Sequence, residues 1–299
     1  MRHTSAIPQA LMLLGGFTFQ GCQPRDTEPV SAEQVASPWF EDVTEECGLQ
    51  FTHDPGPTGD YFMPQIMGAG AALLDVDNDG RLDIYLLQSA GPESSSTNRL
   101  FRQHADGTFE DVTAGSGLDV AGYSQGVAVG DVNNEGWVDL LVTQYRGIRL
   151  LLNRGNGVFT DVTSESGLDD PLWATSAGFL DFDRDGYLDL FVVNYLEYDP
   201  TEACTSRGGA RDYCSPNSFP ATTDRLFRNL GSASGDTESR VRFQDVSLAA
   251  GLASAPGPGL GLVCADFDGD HWTDVFVAND GRSVIRFDPC PQFPVAQSS

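Results

Sequence analysis

The stretch Asp75-Val76-Asp77-Asn78-Asp79-Gly80-Arg81-Leu82-Asp83 decides the fold of this chain. It places aspartates at the first, third and fifth positions of a short segment, and the glycine at the sixth position allows a sharp turn. In a tight loop these alternate side chains turn inward, and the seventh residue offers a backbone carbonyl. The stretch therefore predicts a loop that binds a hard, oxygen-seeking cation.

Calcium is the natural cation for this loop, because it accepts about six to eight oxygen ligands in flexible geometry, whereas magnesium demands a stricter octahedron. An EF-hand would need a glutamate at position 12, which the loop lacks. It carries aspartate at position 9 instead and runs straight into the strand-like residues 83–87. The loop is thus predicted to join two strands.

The loop occurs four times. The copies cover residues 75–83, 131–139, 181–189 and 266–274. A second motif, Phe-x-Asp-Val-Thr/Ser followed by Gly-Leu, begins at Phe40, Phe109, Phe159 and Phe243. Repeats of about 50 residues that contain several short strands are typical of propellers.

Each unit can be laid out strand by strand. In the first unit the strands are predicted at residues 70–74, 84–87, 98–102 and 108–113, with Asp106-Gly107 as a hairpin turn. The second unit repeats this order at residues 126–130, 140–143, 149–153 and 158–163. Four antiparallel strands per unit form a propeller blade, so the predicted fold is an all-β propeller with four recognisable blades in residues 39–287.

The third and fourth units depart from the pattern. The third carries an insertion at residues 197–223, in which Cys204 and Cys214 are predicted to close a surface loop by a disulfide, the alternative being two free thiols. The fourth has a third strand near residues 283–287 and no fourth strand. Residues 40–44 read as a strand that either completes this last blade or belongs to a longer propeller of which the chain is a portion.

The N-terminus is predicted to be an export signal. Residues 1–22 combine a weakly basic start with a short apolar run, and Gly21-Cys22 resembles a bacterial lipobox. Cys22 is a predicted lipid anchor, with ordinary signal cleavage as the alternative. Residues 23–38 read as a flexible linker and residues 288–299 as an irregular tail. We expect the periplasm, outer membrane or cell surface of a bacterium, with membrane contact only through that anchor.

Composition narrows the function further. The net charge of −26 repels nucleic acid, so no DNA or RNA partner is expected. None of the four histidines shows a metal-ligand spacing, and neither a Gly-x-Ser-x-Gly elbow nor a phosphate-binding loop occurs. His53 and Asp54 near Asp60 offer an acid–base pair, but a polar loop before the first blade is the favoured interpretation of these residues. The pairing of Cys47, Cys264 and Cys290 stays open.

With loops and blades in view, the chain resembles the FG-GAP/VCBS repeat proteins, whose calcium-bearing blades also form the integrin alpha-subunit head. More narrowly it is similar to the bacterial ASPIC/UnbV group, related to cartilage acidic protein. The residues behind this are the Phe-x-Asp-Val-Thr motif, the Asp212-Tyr213-Cys214 segment and residues 224–229. The resemblance implies about seven blades, no catalytic residues, and extracellular binding or adhesion.

The resemblance also implies up to four structural calcium ions and the residues that bind them. In the first loop they are Asp75, Asp77, Asp79, Asp83 and the Arg81 carbonyl. The matching residues of the other loops are Asp131, Asn133, Glu135, Trp137 and Asp139; Asp181, Asp183, Asp185, Tyr187 and Asp189; and Asp266, Asp268, Asp270, Trp272 and Asp274. Asn133 and Glu135 weaken the second loop and His271 replaces the glycine of the fourth, so the first and third loops are expected to bind best and the second worst.

Three functions follow as hypotheses. The first is an exported, calcium-stabilised propeller that binds a protein or glycan partner. The second is a propeller hydrolase or lyase acting on extracellular carbohydrate, which needs a pair of carboxylates facing one pocket outside the metal loops. The third is a truncated fragment without function.

Overall fold

The computed structural model describes residues 39–57, 59–231, 241–281 and 284–287. The predicted signal and Cys22, the linker and the tail with Cys290 lie outside these residues. Contacts divide the chain after Asp42, and the described part of the first unit, residues 39–42, carries no regular secondary structure. No helix of the described residues is long and apolar enough to cross a membrane.

Four antiparallel sheets follow one another along the second unit, and their strands are numbered in chain order. The first strands are β1 (Ala71–Leu74), β5 (Ser124–Gly130), β9 (Ala174–Leu180) and β15 (Gly259–Ala265). The second strands are β2 (Asp83–Leu86), β6 (Asp139–Gln144), β10 (Asp189–Asn194) and β16 (Asp274–Asn279). The third strands are β3 (Arg99–Gln103), β7 (Gly147–Asn153), β13 (Arg225–Asn229) and β17 (Ile285–Phe287). The fourth strands are β4 (Phe109–Asp111), β8 (Phe159–Asp161) and β14 (Phe243–Asp245).

Each sheet has the strand order of a propeller blade. The first three sheets run first, second, third and fourth strand from one edge to the other, and the last has three strands in the described residues. The first strands of successive sheets contact each other, so these strands form the inner edge of the array. The fold is therefore all-β with propeller-type blades, as the sequence predicts.

Burial explains why the second strands read as continuous apolar runs. Every residue of β6 and β10 is buried, because a blade in the middle of the array is covered on both faces. Between the first two sheets, Leu74 and Tyr85 pack with Leu140 and Val142 in one apolar cluster. The inner strands are close as well: a Cβ atom on Gly126 would lie 2.7 Å from the Thr175 carbonyl oxygen, so only glycine fits there.

The Phe-x-Asp-Val-Thr motif joins each blade to the next. The turn after the motif offers a carbonyl to the first backbone N–H of the following blade's fourth strand. The three bonds, each of 2.7 Å, run from Phe109 to Cys47, from Phe159 to Ser116 and from Phe243 to Ser166. Residues 44–48 thus form a turn like those of the later motifs, but the strand expected at residues 40–44 does not form. The carbonyl groups of Val43 and Thr44 instead accept the N–H groups of Cys47 at 2.9 Å and Leu49 at 3.0 Å within the turn.

The fourth sheet presents a face that the other sheets bury. Val76, Val132 and Phe182 follow the first loop position in their blades and are at most 7% exposed. Phe267 occupies the same position in the fourth blade and is 47% exposed, and Val263 on β15 is 54% exposed. The number of blades in a closed ring stays a prediction.

The insertion of the third blade packs over the ends of the strands. It holds the short strands β11 (Cys204–Thr205) and β12 (Arg211–Asp212) and the 3₁₀ turn Pro216–Ser218. Cys204 and Cys214 form a disulfide with 5.0 Å between their Cα atoms. Two other 3₁₀ turns lie at Met63–Ile66 and Leu252–Ser254. The insertion is tied to the first of them, because the Tyr198 hydroxyl accepts the Met63 N–H at 3.3 Å.

Candidate metal loops and a cleft at the opposite end

All four loops are anchored by the aspartate at position 9, which starts the second strand. One oxygen of this buried carboxylate accepts the N–H of the residue at position 2. These bonds, of 2.9–3.0 Å, run from Val76 to Asp83, from Val132 to Asp139, from Phe182 to Asp189 and from Phe267 to Asp274. In the first three loops the other oxygen accepts the N–H of the last residue of the third strand, at 2.8–2.9 Å. Position 9 therefore fixes the loop to two strands.

The aspartate at position 1 closes the turn. In the first loop, Asp75 accepts the N–H of Asp79 at 3.0 Å and of Gly80 at 2.8 Å. The second and third loops repeat both bonds, and in the fourth Asp266 accepts the N–H of Gly269 and of His271. His271 takes the glycine position with φ of 71°, a left-handed conformation that His tolerates at some cost.

Positions 1, 3 and 9 bring their carboxylates together in three of the loops. The groups are Asp75, Asp77 and Asp83; Asp181, Asp183 and Asp189; and Asp266, Asp268 and Asp274. One oxygen from each member lies within 4.8 Å of the others. The second loop has Asn133 at position 3, and its buried Nδ2 has no hydrogen-bond partner. Three hard oxygen donors at this spacing suit calcium, so the donor set of these three loops fits the ion.

The aspartates at position 5 also accept hydrogen bonds within their loops. Asp79, Asp185 and Asp270 each accept the N–H of the residue at position 7 and lie outside the convergent groups. The residues Arg81, Tyr187 and Trp272 thus have their N–H groups held inside the loop. The ligand roles of positions 5 and 7 stay predictions, as does that of Glu135 and Trp137 in the second loop.

Burial and like charge shape the electrostatics of the loops. Burial first, and then the charges of Asp79 and Asp83, raise the pKa of Asp77, whose Oδ1 is buried without a hydrogen-bond partner. Burial raises the pKa of Asp139 and of Asp189 to about 7. The carboxylates therefore crowd together at a cost that a cation between them would offset.

Arginines of the third strands neutralise part of the negative charge of these carboxylates. Arg228 lies 2.5 Å from Asp183 and 3.4 Å from Asp185, and Arg286 lies 2.8 Å from Asp268 and 3.1 Å from Asp274. In the first loop Arg102 approaches Asp77 only to 3.9 Å. Arg81 also forms an ion pair with Asp79 in the first loop, so arginine neutralises part of the carboxylate charge in all three loops.

A second candidate site lies at the other end of the blades. In an antiparallel sheet the connection from second to third strand lies at the end opposite the loop between first and second strands. Here residues 90–94 border a cleft of about 510 Å³ with Asp54 and the Tyr123 ring. A neighbouring cleft of about 230 Å³ shares Tyr123 and Pro57 and adds Asp60, Phe62 and Gln65. Among the described residues that line it, the larger cleft presents two carboxylates, those of Asp54 and Glu93, and no basic side chain.

Asp54 is held rigidly in this cleft. Its backbone N–H donates to Gln88 at 2.7 Å, and its carboxylate accepts the Ser96 hydroxyl at 2.6 Å and the Gly56 N–H at 2.9 Å. The Ser96 bond first, and then the Gly56 bond, lower the pKa of Asp54. The group is a standing anion, whereas a glycosidase needs one carboxyl group that keeps its proton. The cleft thus presents the two carboxylates that the hydrolase hypothesis requires, and Asp54 is the member held as an anion.

An aromatic cluster surrounds the clefts. Phe62 packs edge-on against Tyr123 at 4.9 Å and against Tyr145 at 5.2 Å between ring centroids, and Tyr145 continues to Trp173 at 5.4 Å. The sequence pattern did not point to this end, because its residues come from segments that lie far apart in the chain. The signal in the sequence was His53 and Asp54 near Asp60, since Asp54 lines the larger cleft and Asp60 the smaller one.

Of the two free cysteines in the described residues, Cys264 lies in an apolar environment. Cys47 and Cys264 are both half-buried, and burial raises the pKa of the Cys264 thiol to about 11. A thiol with a raised pKa is a poor nucleophile at neutral pH. Cys264 therefore serves as a small apolar residue between the last two blades.

Comparisons with known proteins agree with the repeat pattern. Residues 75–142 and 131–192 match the family of the FG-GAP-like repeat, so the chain contains two such repeats. Cartilage acidic protein 1 of Xenopus tropicalis is 35% identical over 81 residues, which are 27% of this chain and 12% of that protein. The chain thus matches a small part of that relative's length.

A solved structure of an Agrocybe aegerita lectin, described as recognising non-reducing terminal N-acetylglucosamine, is 19% identical with a TM-score of 0.32. It covers 73% of this chain, and this chain spans about half (51%) of that one. At this TM-score the likeness carries no argument about fold or ligand.

Proposed function

We propose that this protein is an exported β-propeller binding module whose blades are stabilised by calcium. The observation that carries the proposal is the convergence of carboxylates from positions 1, 3 and 9 in three loops, at the same place in the first, third and fourth blades. The match of residues 75–192 to FG-GAP-like repeats supports it. Each ion would hold a strand-to-strand turn together and neutralise carboxylates that otherwise repel each other.

Calcium binding is tested by the stability of the full chain. A ligand that binds only the folded state stabilises it by about 2.7 kcal/mol when its concentration is 100 times its dissociation constant. We expect calcium, but not magnesium at the same concentration, to raise the thermal midpoint, and chelation to lower it. Asp77→Asn and Asp183→Asn should each reduce the calcium effect, while Glu165→Gln, on an exposed turn, should leave it unchanged. An identical midpoint with calcium and with chelator would refute the proposal.

The partner is proposed to bind at the cleft bordered by Asp54, Glu93 and Tyr123. Two carboxylates beside an aromatic ring suit a guanidinium or ammonium group, which forms charge-assisted hydrogen bonds with carboxylates and is attracted to the ring face. The net charge of −26 adds long-range attraction for cations. We therefore favour a protein partner that presents an arginine or lysine side chain over a neutral glycan.

The probe for this site is an arginine-rich peptide, compared with the same peptide containing citrulline. We expect Asp54→Asn with Glu93→Gln to weaken arginine-peptide binding about tenfold or more, since a hydrogen bond to a charged group contributes about 1.5–3 kcal/mol. Glu165→Gln, which removes a charge elsewhere, controls for the overall field. Equal loss in both variants, equal affinity for the citrulline peptide, or selective binding of neutral oligosaccharides would contradict the cationic ligand.

Export and lipidation are part of the same proposal and rest on residues 1–22. Fractionation of a bacterial host that expresses the full chain should place the protein in the membrane fraction, and Cys22→Ala should release it into the periplasm or medium. A cytosolic protein with an intact N-terminus would contradict export.

A further inference from the structure

The residue at position 4 of each loop has an unusual backbone conformation. Asn78, Asn134 and Arg184 have φ values of 56°, 58° and 60°, and Gly269 has 82°. This left-handed region is uncommon for residues other than glycine. Position 4 lies between positions 3 and 5. Its backbone conformation therefore fixes the direction of its own side chain together with the placement of the carboxylate at position 3.

That side chain reaches the next loop in all three cases where it exists. Asn78 Nδ2 donates to the Gly136 carbonyl at 2.8 Å, and Asn134 Nδ2 donates to the Gly186 carbonyl at 3.0 Å. Arg184 donates to the His271 carbonyl, and its guanidinium lies 3.9 Å from the centre of the Trp272 ring. The accepting residue is at position 6 each time. Gly269 has no side chain, so the series of links ends at the fourth loop.

The accepted carbonyl belongs to a peptide group that matters for metal binding. The peptide between positions 6 and 7 holds the carbonyl of position 6 and the N–H of position 7. In the third and fourth loops that N–H donates to the carboxylate at position 5, at 3.0 Å in the third and 2.8 Å in the fourth. The link therefore fixes the peptide that precedes the predicted carbonyl ligands Tyr187 and Trp272.

We propose that these links couple the loops, so that an ion bound in one loop raises the affinity of the next loop for calcium. An ion orders positions 3 to 5 of its own loop and with them the side chain at position 4. That side chain then holds the neighbouring loop in its binding conformation, so the next ion meets a loop that is already ordered. The inference rests on the proposed calcium binding, and it makes Asn78, Asn134 and Arg184 positioning residues rather than ligands.

The third and fourth loops give the sharpest test, because both contain a three-carboxylate group and Arg184 joins them. Hydrogen exchange of the full chain, followed by mass spectrometry during a calcium titration, reports a separate midpoint for each loop. Asp183→Asn removes a predicted ligand of the third loop. It should raise the calcium midpoint of residues 266–274 about fivefold or more, the lower end of typical coupling.

Arg184→Gly removes the link and keeps the left-handed backbone, as Gly269 does naturally. In this background, Asp183→Asn should no longer change the midpoint of residues 266–274. The double-mutant comparison isolates the coupling from any direct effect of losing Arg184 on the fourth loop. Unchanged protection of β9 and β10 in calcium confirms that the variants fold, and Asn134→Gly gives a second test on the link into the third loop.

The possible results distinguish a failure of the coupling between loops from a failure of the proposed calcium binding. If Asp183→Asn leaves the fourth-loop midpoint within twofold of that of the wild-type protein while both loops respond to calcium, the loops bind independently and the coupling is refuted. If the shift persists in Arg184→Gly, the link does not carry it. If calcium protects no loop in the wild-type protein, the proposed calcium binding fails and the coupling with it.

Discussion

Replacement of Asp224 by asparagine should stabilise the protein at pH 8 and have almost no effect at pH 4. Asp224 is 2% exposed, and burial raises its pKa from an ordinary value of 3.8 to about 7. Its carboxylate accepts the Asn194 N–H at 3.0 Å, and the nearby charge of Asp170, itself almost fully buried, adds to the shift. The folded protein thus holds a proton at Asp224 that the unfolded chain releases near pH 4.

The sign and size of the effect follow from linkage. Between about pH 4 and pH 7 the folded state binds more protons than the unfolded state, so this group makes stability fall as pH rises, and its full cost is present above pH 7. The rise in the pKa of Asp224 from 3.8 to about 7 corresponds to about 4 kcal/mol of folding free energy, at about 1.36 kcal/mol for each pKa unit. Relaxation of the protein around the charged carboxylate reduces this cost. We therefore expect Asp224→Asn to raise the free energy of unfolding by about 2–3 kcal/mol at pH 8.

The first blade shows that asparagine fits this position. Asn98 precedes β3 as Asp224 precedes β13, and its Oδ1 accepts the Gln88 N–H at 2.8 Å, the counterpart of the Asn194 bond. For a protein of this size, 2–3 kcal/mol is a rise of about 5–10 °C in the thermal midpoint. Wild-type and variant proteins should be melted at pH 4, 6 and 8 at one calcium concentration, with Glu165→Gln at an exposed turn as control. A gain that is equal at all three pH values, or a loss at pH 8, would refute the reasoning.

Three further changes should be measurable by urea or thermal unfolding. Asn229→Ala should lower the free energy of unfolding by about 2–4 kcal/mol. The buried amide donates to the Val132 and Leu188 carbonyl groups and accepts a backbone N–H, and all three groups lose their partner in the variant. A loss under 1 kcal/mol would contradict this role of Asn229 between blades. Reduction of the Cys204–Cys214 disulfide should cost about 2–3 kcal/mol for a loop with a sequence separation of 10, and Cys204→Ser with Cys214→Ser should make the protein insensitive to reductant. Gly126→Ala should cost at least 2 kcal/mol, because its Cβ would lie 2.7 Å from a carbonyl oxygen of the next inner strand.

The sequence predicts the blades well because each blade repeats the same signals. The loops, the Asp-Gly turn and the apolar strands recur at the same places in each unit. A strand that is ambiguous in one unit can therefore be placed by comparison with the others. The predicted strands differ from those observed mainly by one or two residues at their ends, as for β1 at Ala71 rather than Gly70 and β4 ending at Asp111 rather than Thr113. Thr113 leaves the strand because its hydroxyl and N–H turn to Asp111.

The candidate sites could be predicted only in part. Spacing identified the aspartates that converge, but it could not show that the carboxylates of positions 1, 3 and 9 come together while that of position 5 lies outside the group. It also could not show the links from position 4 to the next loop, since these depend on how far apart the blades lie. The cleft beside Asp54 joins segments about 35 to 70 residues apart, a distance across which periodicity carries no information.

The most direct test of the central claim is a count of calcium ions bound to the full chain. After equilibrium dialysis against micromolar calcium and removal of free ion, elemental analysis should find three ions per chain, or four if the second loop is filled. Asp77→Asn, Asp183→Asn and Asp268→Asn should each lower the count, whereas Glu165→Gln should not. A chain that retains no more calcium than the dialysis buffer, or a count that none of the three aspartate variants changes, would contradict the account.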